Sequence, residues 1–156
     1  MIGSATWGSS GTRIVTWVRF RDLATGTEFL HVNSHFDHQS ENARVRSAEV
    51  VRSLIADTGL PAVFTADCNA IAEASAPYTR LVTDGGPVDT SLAGTQLTPQ
   101  VGTFPNHGTP NPAGTRIDWV LTTPDITVRS AAINTWTKDG RWPSDHTPVQ
   151  ALVRLP

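Results

Sequence analysis

Side chains that can transfer protons occur near the C-terminus of this 156-residue sequence, beside predicted strands. Asp145 and His146 precede the last strand, and Asp118 lies inside an otherwise apolar strand. A buried carboxylate needs a partner, which here is either Arg116 or a group across the sheet such as His146. An Asp that hydrogen-bonds one imidazole nitrogen raises the basicity of the other. Asp118 and His146 therefore form either an acid/base pair or a structural ion pair, and spacing alone leaves both open.

A second group, Asp67 and Asn69, follows a short buried strand. Residues two apart on an extended chain share a face, so a carboxylate that can accept a proton lies beside an amide that can donate to a phosphate oxygen. The alternative is an Asx turn that closes the strand. Cys68 between them is interpreted as a small buried hydrophobe.

The third group, His35, Asp37 and His38, follows Asn33 at the end of another strand. The simplest interpretation is a solvated polar loop before a helix. A zinc hydrolase using these three residues is disfavoured, because His-x-x-His supplies only two ligands where catalytic zinc takes three at a recognisable spacing.

The hydrophobic pattern predicts the elements that carry these groups. In chain order they are a hairpin of strands 13–21 and 28–33, a helix capped by Ser40 and ended by Gly59, a strand at 62–65, a helix at 75–82, and strands at 115–122, 126–133 and 147–155. The segment 84–114 contains only short strand candidates at 88–90 and 102–104, and a connection this long is more often functional than idle.

These elements predict one domain over residues 1–156 of the α/β or α+β class, with helices outside a mostly antiparallel sheet. The pattern does not distinguish one sheet from two. Residues 1–12 are rich in Gly, Ser and Thr and are predicted to be a loose end or loop.

Composition excludes several classes of protein. The net charge of −2 and pI of about 6.2 lack the basic footprint of a protein that holds nucleic acid through its phosphates. The single cysteine excludes an internal disulfide and a multi-thiolate metal site. No apolar run reaches the roughly 20 residues of a membrane span, and no signal peptide is visible. The sequence as given predicts a cytoplasmic protein, or a secreted one if the true N-terminus lies upstream.

Four motifs together resemble the endonuclease/exonuclease/phosphatase superfamily, whose fold is that of DNase I. They are the segments 33–38 (NSHFDH), 66–69 (ADCN), 116–120 (RIDWV) and 143–149 (PSDHTPV). The triplet 102–104 (GTF) before the third motif also looks like the family. The resemblance runs from about residue 13 to the end of the chain.

The resemblance implies a four-layered αββα sandwich and a metal-dependent phosphoester hydrolase of the phosphodiesterase, phosphatase or nuclease type. By position, His146 would be the acid/base residue that activates water or contacts the phosphate, with Asp118 orienting it. Asp67 would position or deprotonate the water, a role that the family's mechanisms also assign to His146.

The same resemblance implies roles for three more residues and for a cation. Asn69 would hold the scissile phosphate, and His35 would stabilise charge on the phosphoryl oxygens. Asp145 would help to hold Mg²⁺ or Mn²⁺, since both ions prefer oxygen ligands.

The sequence departs from the family pattern in two ways. Ala66 and Cys68 replace the usual Gly and Phe, which are packing changes. The family's N-terminal half, with the Glu that is its principal metal ligand, precedes the part matched here, so the fold is expected to be incomplete at its N-terminus. This predicts an uncovered apolar sheet face, and with it the alternative of an inactive half-domain that binds itself or a separate N-terminal half. The phosphoester substrate stays open among small molecules, phospholipid head groups and nucleic acids.

Overall fold

A computed structural model describes residues 4–156, and its larger sheet begins with a hairpin. Strands β1 (Val15–Arg21) and β2 (Glu28–His35) pair antiparallel, as predicted from their alternating side chains. Strand β3 (Ala62–Asp67) adds parallel to β2, and β6 (Asp118–Thr122) adds antiparallel to β3. The two-residue strand β4 (Val88–Asp89) completes the five-stranded order β1-β2-β3-β6-β4.

Two helices cover one face of this sheet. Helix α1 (Glu41–Thr58) begins at Ser40, whose side chain accepts a hydrogen bond from the Ala43 N–H, and ends at Gly59 with a left-handed φ of 61°. Both ends agree with the sequence prediction, because Ser is a strong N-cap and Gly adopts positive φ without steric cost. Helix α2 (Ala76–Val82) packs beside α1. The buried core between helices and sheet includes Leu30, Val32, Phe36, Val51, Ile55, Phe64, Tyr78, Leu81, Trp119 and Leu121.

The segment 84–114 contains more structure than its composition predicts. Besides β4 it forms a one-turn helix α3 (Thr90–Ala93), capped by Asp89, and strand β5 (Thr95–Gln96). The predicted strand at 102–104 is wrong, because these residues form an irregular loop whose backbone hydrogen bonds go to other loop residues. Turn-rich composition does not reveal such long-range partners.

Strand β5 opens a second sheet, so the described residues form two sheets and not one. Its order is β5-β7-β8, with β7 (Thr127–Ile133) parallel to β5 and antiparallel to β8 (Val149–Arg154). Antiparallel pairs predominate across both sheets, as predicted. None of the helices in the described part of the chain is long and apolar enough to cross a membrane.

Part of the larger sheet presents apolar side chains to solvent. Val18 and Phe20 are 50% and 46% exposed, and Phe20 stacks on Phe29 of β2 with ring centroids 5.5 Å apart. The pairing register places them on the same sheet face as His35 and Asp67. The described hairpin therefore exposes apolar side chains on this face.

The segment before β1, predicted to be a loose end or loop, is attached in its described part to the start of α1. Residues 1–3 lie outside the described part, and Ser4–Trp7 forms a 3₁₀ helix. The Trp7 carbonyl accepts hydrogen bonds from Ser40 Oγ at 3.2 Å and Asn42 Nδ2 at 3.0 Å. Sequence composition could not reveal these partners, because they lie more than thirty residues away.

Asp37 joins the same segment to the loop after β2. Its buried carboxylate accepts hydrogen bonds from the Ser10 N–H and Oγ and from the N–H groups of Gln39 and Ser40, at 2.7–2.9 Å. Burial alone would raise the pKa of Asp37, but these hydrogen bonds hold it well below its usual range. Asp37 is thus a structural residue that fixes the loop behind His35.

We expect Asp37→Asn to lower the free energy of unfolding at pH 7 by about 1–3 kcal/mol, because the amide cannot accept all four bonds. Because the folded-state pKa of Asp37 is lowered, the ionised carboxylate stabilises the fold at pH values above the unfolded-state pKa. This stabilisation is lost as the pH falls through the folded-state pKa. The difference in the free energy of unfolding between the variant and the wild type should therefore become smaller below about pH 4. Urea unfolding at pH 7 and pH 3.5 measures this, with the exposed Asp125→Asn as the control. A loss no larger than that of the control at pH 7 would contradict the assignment.

Candidate active site

The pairing of three neighbouring strands brings His35, Asp67 and Asp118 into one row. His35 is the last residue of β2 and Asp67 the last of β3, and they are direct partners in the parallel pairing. Asp118 is the first residue of the antiparallel β6 and lies opposite Asp67. The sheet edge therefore presents one imidazole and two carboxylates side by side on the same face.

His146 reaches this row from the loop before β8. Its Nδ1 lies 2.9 Å from Asp118 Oδ2, a hydrogen bond between residues 28 positions apart. Arg116, the other partner considered for Asp118, instead forms a buried ion pair with Asp89 at 2.6 Å. The hydroxyl of Tyr78 donates to the same Asp89 oxygen at 2.8 Å. His146, and not Arg116, is thus the hydrogen-bond partner of the Asp118 carboxylate.

Asp67 connects the remaining groups. Its Oδ2 lies 3.2 Å from His35 Nε2 and 3.7 Å from His146 Nε2. Its Oδ1 accepts the Asn69 N–H at 2.9 Å, which is the Asx turn considered from the sequence, and Asn69 has a left-handed φ of 46°. The Asn69 amide donates to the Phe36 carbonyl at 3.0 Å. Asp67 therefore both closes the Asx turn and contributes its carboxylate to the polar site.

Burial and charge shift the acidity of the Asp118 and His146 pair. Burial raises the pKa of the Asp118 carboxyl, against hydrogen bonds from Thr103 and His146 that lower it. Burial would lower the pKa of His146, but the hydrogen bond and negative charge of Asp118, with the charge of Asp67, raise it above its ordinary value. The carboxylates thus favour the imidazolium form of His146.

A loop from the long segment 84–114 forms one wall of the site. The Thr147 N–H donates to the Thr103 carbonyl and the Asn106 N–H donates to the Asp145 carbonyl, each at 3.0 Å. The ring of Phe104 packs on His146 with centroids 4.8 Å apart. We did not predict Thr103 or Phe104 as site residues, although the GTF triplet before the third motif was the signal that could have identified them.

The sequence was compared with models of known protein families. The model of the Endonuclease/Exonuclease/phosphatase family matches residues 3–146. The chain belongs to this family. The resemblance drawn from its four motifs is confirmed, and so is the predicted DNase I-like class of fold.

Solved structures of family members are similar over nearly the whole chain. A mannosyl-6-phosphatase of Bacteroides thetaiotaomicron superposes with a TM-score of 0.86 at 30% identity, over 96% of this chain and 60% of its own. Family proteins of B. thetaiotaomicron and Bacteroides vulgatus give TM-scores of 0.89 and 0.87 at 31% and 32% identity, over 96% of this chain and 58% of theirs. The comparison with curated proteins gives no match. The chain therefore spans about three-fifths of the length of the family structures it matches.

One group of side chains in the described residues could hold a metal ion. Asp67, Asp118 and His146 each offer a ligand atom, and these atoms lie within 4.8 Å of one another. Two carboxylates suit the oxygen preference of a hard divalent cation. Asp145, predicted as a metal ligand, is outside this group, and its carboxylate accepts a hydrogen bond from Ser144 Oγ at 3.2 Å.

The disfavoured zinc site at His35, Asp37 and His38 does not form. His35 faces Asp67, while the Asp37 carboxylate is occupied by backbone and hydroxyl donors. The Nδ1 of His38 lies 3.3 Å from Ser10 Oγ and 3.2 Å from an Arg13 nitrogen. His35 is therefore turned towards Asp67, whereas Asp37 and His38 both contact Ser10.

We expect Asp118→Asn to lower the pKa of His146, because the substitution removes the carboxylate that most raises it. Because the folded-state pKa of His146 is raised, the protonated imidazole stabilises the fold at pH values below the unfolded-state pKa of about 6.5. This stabilisation is lost as the pH rises through the folded-state pKa. The stability lost in the variant should therefore be larger at pH 5.5 than at pH 9. NMR titration of the His146 Cε1–Hε1 signal, assigned with His146→Gln, measures the pKa. An unchanged pKa, or an equal change in Asp125→Asn, would refute this coupling.

Proposed function

We propose that the protein is a metal-dependent phosphoester hydrolase in which a water molecule attacks phosphorus at the Asp67, Asp118 and His146 site. The observation that carries the proposal is the 2.9 Å bond between His146 Nδ1 and Asp118. It leaves Nε2 directed towards Asp67, 3.7 Å away, at the open edge of the sheet. An acid and a base therefore face one reaction centre.

The charges of the site favour one division of roles. His146 has a raised pKa and is stabilised as the imidazolium, which can donate a proton but cannot accept one. Asp67 is then the group that takes the proton from the attacking water, while His146 Nε2 donates to a phosphoryl oxygen or to the leaving oxygen as the P–O bond breaks. Asp118 keeps the imidazole in the orientation that this transfer requires.

His35 and Asn69 are proposed to bind the phosphoryl group. The His35 side chain is 56% exposed and lies 3.2 Å from Asp67, so its imidazole can reach a ligand oxygen beside the attacking water. One amide N–H of Asn69 is bonded to the Phe36 carbonyl, which leaves its second N–H for a phosphate oxygen. Both residues thereby stabilise the negative charge that develops on phosphorus oxygens.

The proposed cofactor is Mg²⁺ or Mn²⁺. The carboxylate of Asp67 belongs to the clustered group and is one proposed ligand. Asp145, which lies outside that group, is the second proposed ligand. When bound, the ion would offset the charge of the phosphoryl group.

A small phosphate ester is the substrate class that we favour over phospholipid head groups and nucleic acids. The neighbour from B. thetaiotaomicron at 30% identity is described as a mannosyl-6-phosphatase. The net charge of −2 also offers little long-range attraction for a polyanion. Both observations support a substrate that is held mainly by contacts at the site.

The exposed apolar face of β1 supports a second candidate function. Val18 and Phe20 are about half exposed on the sheet face that carries the site. Such a face favours association with another surface. On this alternative the chain is a catalytically inactive interaction module that pairs with itself or with a separate N-terminal half.

We expect hydrolysis of p-nitrophenyl phosphate or bis-p-nitrophenyl phosphate that requires added Mg²⁺ or Mn²⁺ and stops in EDTA. His146→Gln should lower kcat by about 10²–10⁴, because it removes the proposed acid. The matched control is His38→Gln, an exposed histidine outside the site, which should retain wild-type rates. Rates with the two substrates distinguish a phosphatase from a phosphodiesterase.

Two results would contradict the proposed hydrolase function. Activity that survives both EDTA and His146→Gln would show that another site or a contaminant is responsible. A chain that is inactive on both substrates, and dimeric by light scattering, would favour the interaction module.

A further inference from the structure

Thr103 is a fully buried residue to which neither the sequence motifs nor the proposed chemistry assigns a role. Its side chain is 0% exposed, although it lies in an irregular loop. Its backbone N–H donates to the Thr115 carbonyl at 3.1 Å. A buried polar side chain in a loop needs partners, and the partners of Thr103 are all close to the site.

The hydroxyl of Thr103 fixes the start of β6. Its Oγ1 accepts the N–H of Ile117 at 2.9 Å and the N–H of Asp118 at 3.2 Å. Thr103 thus holds the backbone at the position from which the Asp118 side chain extends.

The backbone of Thr103 fixes the segment that carries His146. Its carbonyl accepts the Thr147 N–H at 3.0 Å, one residue beyond the imidazole. The next residue, Phe104, packs its ring on His146. Asp118 and His146 are 28 positions apart in sequence, and Thr103 is bonded to Asp118 and to Thr147, the residue after His146.

We propose that Thr103 is a positioning residue that sets the distance and orientation between Asp118 and His146. This inference rests on the proposed function, since the pair must act on a phosphoester for its geometry to matter. A hydrogen bond weakens steeply when its atoms move out of line, and a displacement of about 1 Å near reacting groups costs about 100-fold in rate. Loss of the Thr103 hydroxyl leaves two backbone N–H groups without their acceptor, so the start of β6 must move.

The test compares Thr103→Val, which keeps the shape and removes the acceptor, with Thr103→Ser, which keeps the hydroxyl. We expect Thr103→Val to lower kcat by about 100-fold with little change in KM, and Thr103→Ser to recover most of the rate. Thr90→Val is the matched control, because Thr90 is equally buried and its hydroxyl donates to the Val120 carbonyl at 2.8 Å. If Thr103→Val does not fold, Thr103→Ala removes the same acceptor and leaves space for water.

A second measurement is independent of activity. The ring proton shared between His146 Nδ1 and Asp118 should give a low-field ¹H NMR signal, assigned by its loss in His146→Gln. We expect this signal in wild type, Thr103→Ser and Thr90→Val, and its loss or shift in Thr103→Val. If wild type shows the signal but no hydrolysis, the proposed function fails while the signal still tests the geometric role of Thr103.

Two outcomes would overturn the inference. One is a Thr103→Val protein with the wild-type signal and wild-type kcat. The other is a Thr90→Val protein that loses as much kcat as Thr103→Val at a similar loss of thermal stability, which would make the effect one of general destabilisation.

Discussion

The site depends on the register between β2, β3 and β6. His35 pairs with Asp67, and Asp67 pairs with Asp118, so their side chains leave the same face at the same height of the sheet. A slip of one residue in either pairing would turn a side chain into the helix-covered core. The same register buries Phe64 and Trp119 on the other face. Core packing and site geometry are therefore one constraint, and the fold cannot keep one without the other.

Close packing of acids and imidazoles is stable here because each group is paired. Asp118 is bonded to His146, and Asp67 lies near both His35 and His146. Arg116 and Asp89 form a separate buried pair behind this row. Because Arg116 pairs with Asp89, the row of acids and imidazoles faces the open edge of the sheet, where a ligand can approach. A phosphate ester is a fitting ligand, because its oxygens can accept hydrogen bonds from the imidazoles of the row.

The sequence predicted elements whose signals are local. Helix α1 follows from the Ser40 cap and from Gly59, and the first hairpin follows from alternation. It also identified the residues that meet, since His35, Asp67, Asp118 and His146 all belonged to the candidate groups. Their catalytic roles, and those of Asn69 and Asp145, stay predictions. The sequence did not predict features that depend on contacts between distant residues. These are the division into two sheets, the ion pair between Arg116 and Asp89, and the loop in which Thr103 bonds residues 117 and 118. No periodicity encodes such contacts.

The proposed function requires this sheet edge to bind the phosphoryl group of a substrate together with a divalent cation. A crystal structure of the chain grown with Mn²⁺ and phosphate tests it directly, because the anomalous signal of manganese locates the ion independently of the anion. We expect phosphate oxygens within hydrogen-bond distance of His35, Asn69 and His146, and a manganese peak beside the Asp67 carboxylate. Phosphate and manganese bound elsewhere, with the row from His35 to Asp118 empty, would contradict it.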